Sequence, residues 1–140
     1  MTANFKIEES ISLRFEGKYL DLHNCYDFIG YHHHIRGRQM VLTFTKADGD
    51  WVQENDPQKL MMIHHDVTYL DINYLNETYK FPGDDLCLAD ITFFPSEDRT
   101  SNDQIMLQSE PKSQDDIIYV FQSDYHIRIG CNRIELLTNA

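Results

Sequence analysis

The chain has 140 residues, 41% of them apolar and 12% aromatic, with eight Tyr, eight Phe and one Trp. That length and composition suit one domain with one core, residues 1–140, and the aromatic share favours broad sheets over a helical bundle. Twelve basic against 23 acidic side chains give a net charge of -11, a surface that repels phosphate backbones and anionic bilayers and so excludes nucleic acid and membrane as partners.

In chain order, Ile11, Leu13 and Phe15 alternate ahead of Gly17, and Tyr19, Leu20 and Leu22 follow. These predict an opening strand or strand pair. The run from Cys25 to Ile35 reaches Arg36-Gly37 and is answered by Met40, Leu42 and Phe44, the pattern of a hairpin. Ala47-Asp48-Gly49-Asp50 reads as a turn, and Asp56-Pro57 offers an N-cap and a first-turn proline sufficient for one or two helical turns. Leu60 to Tyr74 is too long for one strand. Met61 and Ile63 fall on odd positions and Leu70, Ile72 and Tyr74 on even ones, so a bulge or break is expected near His64-His65-Asp66.

Phe81-Pro82-Gly83-Asp84-Asp85 is a turn cluster, and Leu86 to Phe94 predicts a strand stopped by Pro95. A short strand is expected at Ile105 to Leu107 between two polar connections. Ile117, Tyr119 and Phe121, then Tyr125, Ile127 and Ile129, alternate around Ser123-Asp124 as a second hairpin, and Arg133 to Leu137 predicts a closing strand. Eight or nine short strands with no crossover helices imply a mainly β fold. An antiparallel two-sheet sandwich is the first expectation and a small, partly closed barrel the second.

Charge is distributed unevenly. Residues 47–124 hold 17 acidic against four basic side chains, whereas the pieces on either side are each slightly basic. Acidic loops keep a protein soluble, and they also form docking faces for basic partners. Trp51, just after a turn, is the aromatic residue best placed for exposure, and with Asp48, Asp50, Asp84 and Asp85 it makes up the candidate binding set. An edge strand, for instance Gln39 to Lys46, could pair two copies as a homodimer.

Histidine supports a competing reading. His32 and His34 share one face of a strand, and with His64 or His65 they could complete an open zinc or iron site of a metal-dependent enzyme. The HxH-plus-Glu pattern of cupins is not completed, because no Glu follows His34 until Glu54. Exposed or interfacial imidazoles account for the same residues without a metal. No GxSxG elbow, glycine-rich phosphate loop or HExxH motif is present. Adjacent acids at Asp84-Asp85 and Asp115-Asp116 point to opposite sides of a strand or into solvent, and His23-Asn24-Cys25 holds the residue types of a thiol triad only as sequence neighbours. A third reading is a ligand pocket inside a barrel.

Cys25, Cys87 and Cys131 are odd in number and widely spaced, which favours reduced thiols. With no signal peptide expected at the N-terminus and no apolar stretch long enough for a membrane helix, a cytoplasmic location is expected. The segment Asp116 to Leu137, with Ile-Ile-Tyr-Val-Phe followed by Tyr-His-Ile-Arg-Ile-Gly-Cys-Asn-Arg-Ile-Glu-Leu, resembles the C-terminal hairpin of small bacterial β-rich proteins, some of toxin-immunity type. The resemblance implies a non-enzymatic binding domain that covers the active surface of a basic toxin, with no cofactor.

Overall fold

The computed structural model describes residues 1–74 and 83–139. Among the described residues there are twelve strands: β1 Thr2–Ala3, β2 Lys6–Glu8, β3 Ser12–Phe15, β4 Lys18–Asp21, β5 Tyr26–His34, β6 Gln39–Lys46, β7 Lys59–His65, β8 Tyr69–Tyr74, β9 Leu88–Pro95, β10 Asp115–Phe121, β11 Tyr125–Gly130 and β12 Arg133–Asn139. The fold is mainly β. Among the described residues the one helical piece is a 3-10 turn at Asp84–Leu86.

The strands form a five-stranded sheet in the order β1-β12-β7-β6-β5, a four-stranded sheet in the order β8-β11-β10-β9, and a three-stranded sheet β2-β3-β4. The two larger sheets face each other as a β-sandwich, with Phe28 of one meeting Phe121 of the other at 4.7 Å between ring centroids. The smallest sheet closes one flank, where Phe5 stacks on Phe93. All the sheets are open, so the barrel alternative is set aside. The space a barrel ligand would need is filled by Tyr26, Phe44, Phe93, Tyr119 and Phe121, all essentially without solvent contact.

Two-residue alternation explains the core. On β6 Met40, Leu42 and Phe44 point inward, on β7 Leu60, Met62 and His64, and on β12 Ile134 and Leu136. The opposite sheet contributes Ile91 and Phe93, Ile117, Tyr119 and Phe121, then Ile127 and Ile129. The expected phase change between residues 60 and 74 is corrected by this register. Leu60, Met62 and His64 of β7 and Leu70 and Ile72 of β8 face the core, so the even positions keep one phase and Met61 and Ile63 lie on the outer side. Asp66, with φ 57, turns the chain from β7 into β8 of the other sheet.

Three further expectations are revised. Asp56-Pro57 sits in a turn, its proline carbonyl accepting a hydrogen bond from the Tyr26 hydroxyl at 2.8 Å. Residues 105–107 form no strand and instead cross the outer side of β9, where the Met106 amide donates to the Thr92 hydroxyl. Gln39–Lys46 is no edge, since β6 is paired to β5 on one side and β7 on the other.

One polar pair lies inside the sandwich. His64 Nδ1 contacts the Met40 carbonyl at 2.7 Å, and its Nε2 lies 2.8 Å from the Tyr119 hydroxyl. The carbonyl can only accept, so Nδ1 carries the proton and Tyr119 donates to Nε2. Tyr119→Phe leaves that nitrogen a buried acceptor without a donor. The expected loss is about 1–3 kcal/mol of folding stability, read by urea unfolding at neutral pH.

Candidate functional site

The site begins with the loop between β4 and β5. The Asp21 carboxylate accepts from the backbone amides of His23 and Asn24 at 3.0 and 2.9 Å and from the Asn24 side-chain amide at 2.8 Å. This Asx-type turn fixes the Asn24 carbonyl, which accepts the indole N–H of Trp51 at 2.7 Å. Trp51 is 64% exposed yet held in place. Its ring lies over Gly49, where a Cβ would meet ring carbons at 2.5 Å, so a side chain at that position would displace the indole.

The loop carrying Trp51 is tied down along its length. Ala47 donates to the Cys25 carbonyl, Lys46 Nζ to the Glu54 and Asp56 carbonyls, and Lys18 Nζ to the Asn55 carbonyl at 2.6 Å. Both ammonium groups are thus directed at loop carbonyls, and Lys18 also pairs with the Asp56 carboxylate at 3.5 Å. Asp48, Asp50 and Glu54 stay exposed.

The third segment joins through His23. Its Nδ1 donates to the Leu88 carbonyl at 2.6 Å, and the Cys87 thiol lies 3.7 Å from the His23 carbonyl. Asp84 and Asp85 are in the 3-10 turn just ahead of Cys87, entered through Gly83 at φ 90. Burial pushes the Cys87 thiol up, and the charges of Asp27, Asp84 and Asp21 add to the effect. Those carboxylates come from the end of β4, the start of β5 and the 3-10 turn. The Cys87 thiol also lies 3.7 Å from His23 Nδ1, but that nitrogen donates its proton to the Leu88 carbonyl and so is no base toward the thiol.

The loop that carries Asp48, Asp50 and Trp51 and the segment that follows Asp84 and Asp85 thus each bond to the β4–β5 loop, the first through Trp51 and Asn24 and the second through Leu88 and His23. The connecting residues, Asp21, His23 and Asn24, were missed. Their signal was the Asp-x-x-Asn spacing of an Asx turn. Beside Asp85 the edge strand β5 borders a shallow depression of about 350 Å³ lined by Phe28, Ile29, Tyr31, Leu86 and Tyr125.

The histidine set does not assemble as the metal reading required. His32 and His34 do sit side by side on the outer face, their ring centroids 4.1 Å apart. His64 projects from β7 into the core, on the other side of the sheet, and is unavailable to them. His65 shares their face but is held by the Gln39 side chain at 3.2 Å and by Glu135 at 3.1 Å. Among the described residues no group of three or more His, Cys, Asp or Glu is placed to hold one ion.

No family model, curated protein or solved structure matches the chain. Among the described residues no helix is long and apolar enough to cross a membrane.

Proposed function

We propose that the chain is a non-enzymatic protein-binding domain that docks a basic partner through the acidic rim around Trp51. The observation that carries this reading is the tryptophan itself. An exposed indole already anchored by its N–H to Asn24 needs little ordering on binding, and a rigid aromatic within a charged rim has the form of an interface hot spot. Asp48, Asp50, Asp84 and Asp85 supply a field that speeds encounter with a positive surface and disfavours acidic competitors. An immunity-type inhibitor of a basic toxin, the form to which the likeness of the C-terminal hairpin leads, is one such binder.

The test presents the untagged chain to purified basic proteins and acidic controls, with affinities measured at low and high salt. Binding is expected for basic partners, weakening as salt rises. Trp51→Ala is expected to weaken it by roughly 30-fold, the size of a hot-spot loss of about 2 kcal/mol. Asp48→Asn with Asp50→Asn should reduce the association rate most strongly at low salt. Binding indifferent to both changes, or equal for acidic controls, would refute the reading.

A further inference from the structure

The histidines of β5 have no part in the proposed acidic rim. Strand β5 is the outermost strand of its sheet, and among the described residues no strand pairs with its far side. A free edge is usually guarded by charge, proline or brevity. This one instead exposes Ile29 at 56% and Tyr31 at 46%, and Ile35, the first residue of the turn that follows it, at 79%. Residues 28–47 hold no Asp or Glu, although the chain as a whole carries 23. The stretch therefore brings no carboxylate of its own to a second copy, and Asp85 of the 3-10 turn borders it only at its Phe28 to Tyr31 end.

Cross-strand register places His32 opposite Val41 and His34 opposite Gln39, both on the outer face of the sheet. The rings stand 4.1 Å apart and are exposed. Two imidazoles so placed can converge on one ion with metal–nitrogen distances near ~2.0–2.1 Å. Among the described residues of a single chain no third His, Cys, Asp or Glu joins these two at one ion. A bidentate site of that kind is half of a tetra-imidazole site.

The sequence around His33 supplies the other half. Tyr31-His32-His33-His34-Ile35 is arranged symmetrically about His33 in residue type, with a large apolar residue at each end and His on both inner positions. If two β5 strands pair antiparallel about a two-fold axis at His33, Tyr31 faces Ile35 of the second copy, and His32 faces His34 of that copy. The apolar pairs then fall on one face. All four imidazoles of His32 and His34 fall on the other, with directly opposite residues about 4.5–5.5 Å apart at Cβ.

We propose that β5 is a metal-dependent dimerisation edge, at which His32 and His34 of two copies together bind one divalent transition-metal ion of the imidazole-preferring class, such as zinc or nickel. Magnitudes require the ion. Five paired residues from each copy bury far less than the roughly 1,200 Å² of a stable protein interface, so backbone pairing alone leaves the chain monomeric. Four ligands held by two chains make metal binding and dimerisation one event, because neither chain completes the site alone.

Sedimentation velocity on the untagged full chain tests the proposal, first with chelator and then with zinc chloride or nickel chloride. A monomer is expected with chelator, and a dimer holding one ion per two chains with metal. His32→Ala and His34→Ala should each abolish the shift, while His65→Ala should leave it intact. These positions are exposed or partly exposed on the surface, and each variant's circular dichroism and urea midpoint are compared with the parent to confirm the fold. A His33→Cys chain, oxidised as the metal-loaded dimer, should give a 33-to-33 disulfide by peptide mapping. One ion per chain without dimer, a dimer that survives both alanine substitutions, or a crosslink at other cysteines alone would overturn the proposal.

Discussion

Replacing Asp116 by Ala is expected to destabilise the fold by about 3–5 kcal/mol, measured as a large drop in the urea midpoint with the unfolding slope unchanged. Asp116 is 1% exposed and takes charge-assisted hydrogen bonds from two arginines. Arg99 donates to both of its oxygens at 2.9 Å, and Arg128 Nε donates to one at 2.8 Å. Arg128 has no solvent contact at all, and its remaining N–H groups reach the Ser101 and Pro95 carbonyls and the Asn102 side chain. Arg99 stacks over Tyr69 at 3.8 Å. Removing the carboxylate strands a buried guanidinium charge, which is the expensive way to break a buried pair. Arg99→Ala should cost much less, because Arg99 is partly exposed and Arg128 still neutralises Asp116. Substituting Asp116 and Arg128 together by Leu and Met should cost less than Asp116→Ala alone. If Asp116→Ala fell within 1 kcal/mol of the parent, roughly the size of a surface-pair effect, the buried-charge account would fail.

This network shows why the long connection between β9 and β10 was misread from sequence. Ser101 and Asn102 look like ordinary polar loop residues, and Ile105 and Leu107 look like a strand. The segment is instead pinned across the outer face of the four-stranded sheet by an arginine 26 residues away, through contacts with no local pattern. Gly130 shows the same limit. A Cβ there would meet Asp116 Oδ1 at 2.7 Å and Arg99 Nη2 at 2.9 Å, so its role is to leave room for the ion network. By contrast, the hairpins β5–β6 and β10–β11 were legible because their alternation and turn residues are local. Asp124, at φ 66 in the second turn, accommodates the left-handed conformation that Asp tolerates better than most residues.

The candidate rim was half legible. Acidic residues beside turn glycines are readable as exposed loops, and Trp51 stood out as the only tryptophan. That the Trp51 loop and the segment after Asp84 both bond to the β4–β5 loop was not readable, since it depends on Asp21 shaping that loop and on Asn24 and His23 reaching to either side. The histidines failed for a related reason. Adjacency of His64 and His65 suggested equivalence, but strand alternation sends one ring inward and the other out, and only the register reveals which.

His64 also gives the fold a built-in pH dependence. Complete burial lowers it to about 4, an effect only partly opposed by its bond to the Met40 carbonyl. An unfolded chain carries an ordinary histidine near ~6.5. Above that value both states hold a neutral ring and His64 has no effect on the pH dependence. As pH falls below it, the unfolded state binds a proton that the folded state refuses, so stability falls until the folded ring also protonates near 4. The gap is roughly 2.5 pH units, and at about 1.4 kcal/mol per unit it amounts to ~3 kcal/mol lost by the bottom of that window. Urea unfolding at intervals between neutral pH and pH 4 should show this decline. His64→Gln keeps a donor for Met40 and an acceptor for Tyr119 but cannot titrate. Its stability at neutral pH is expected to be lower, and its decline toward pH 4 shallower by about one proton than the parent's. Parallel curves for the two proteins would mean that His64 is solvated in the folded state, contrary to the enclosure of its ring between the sheets.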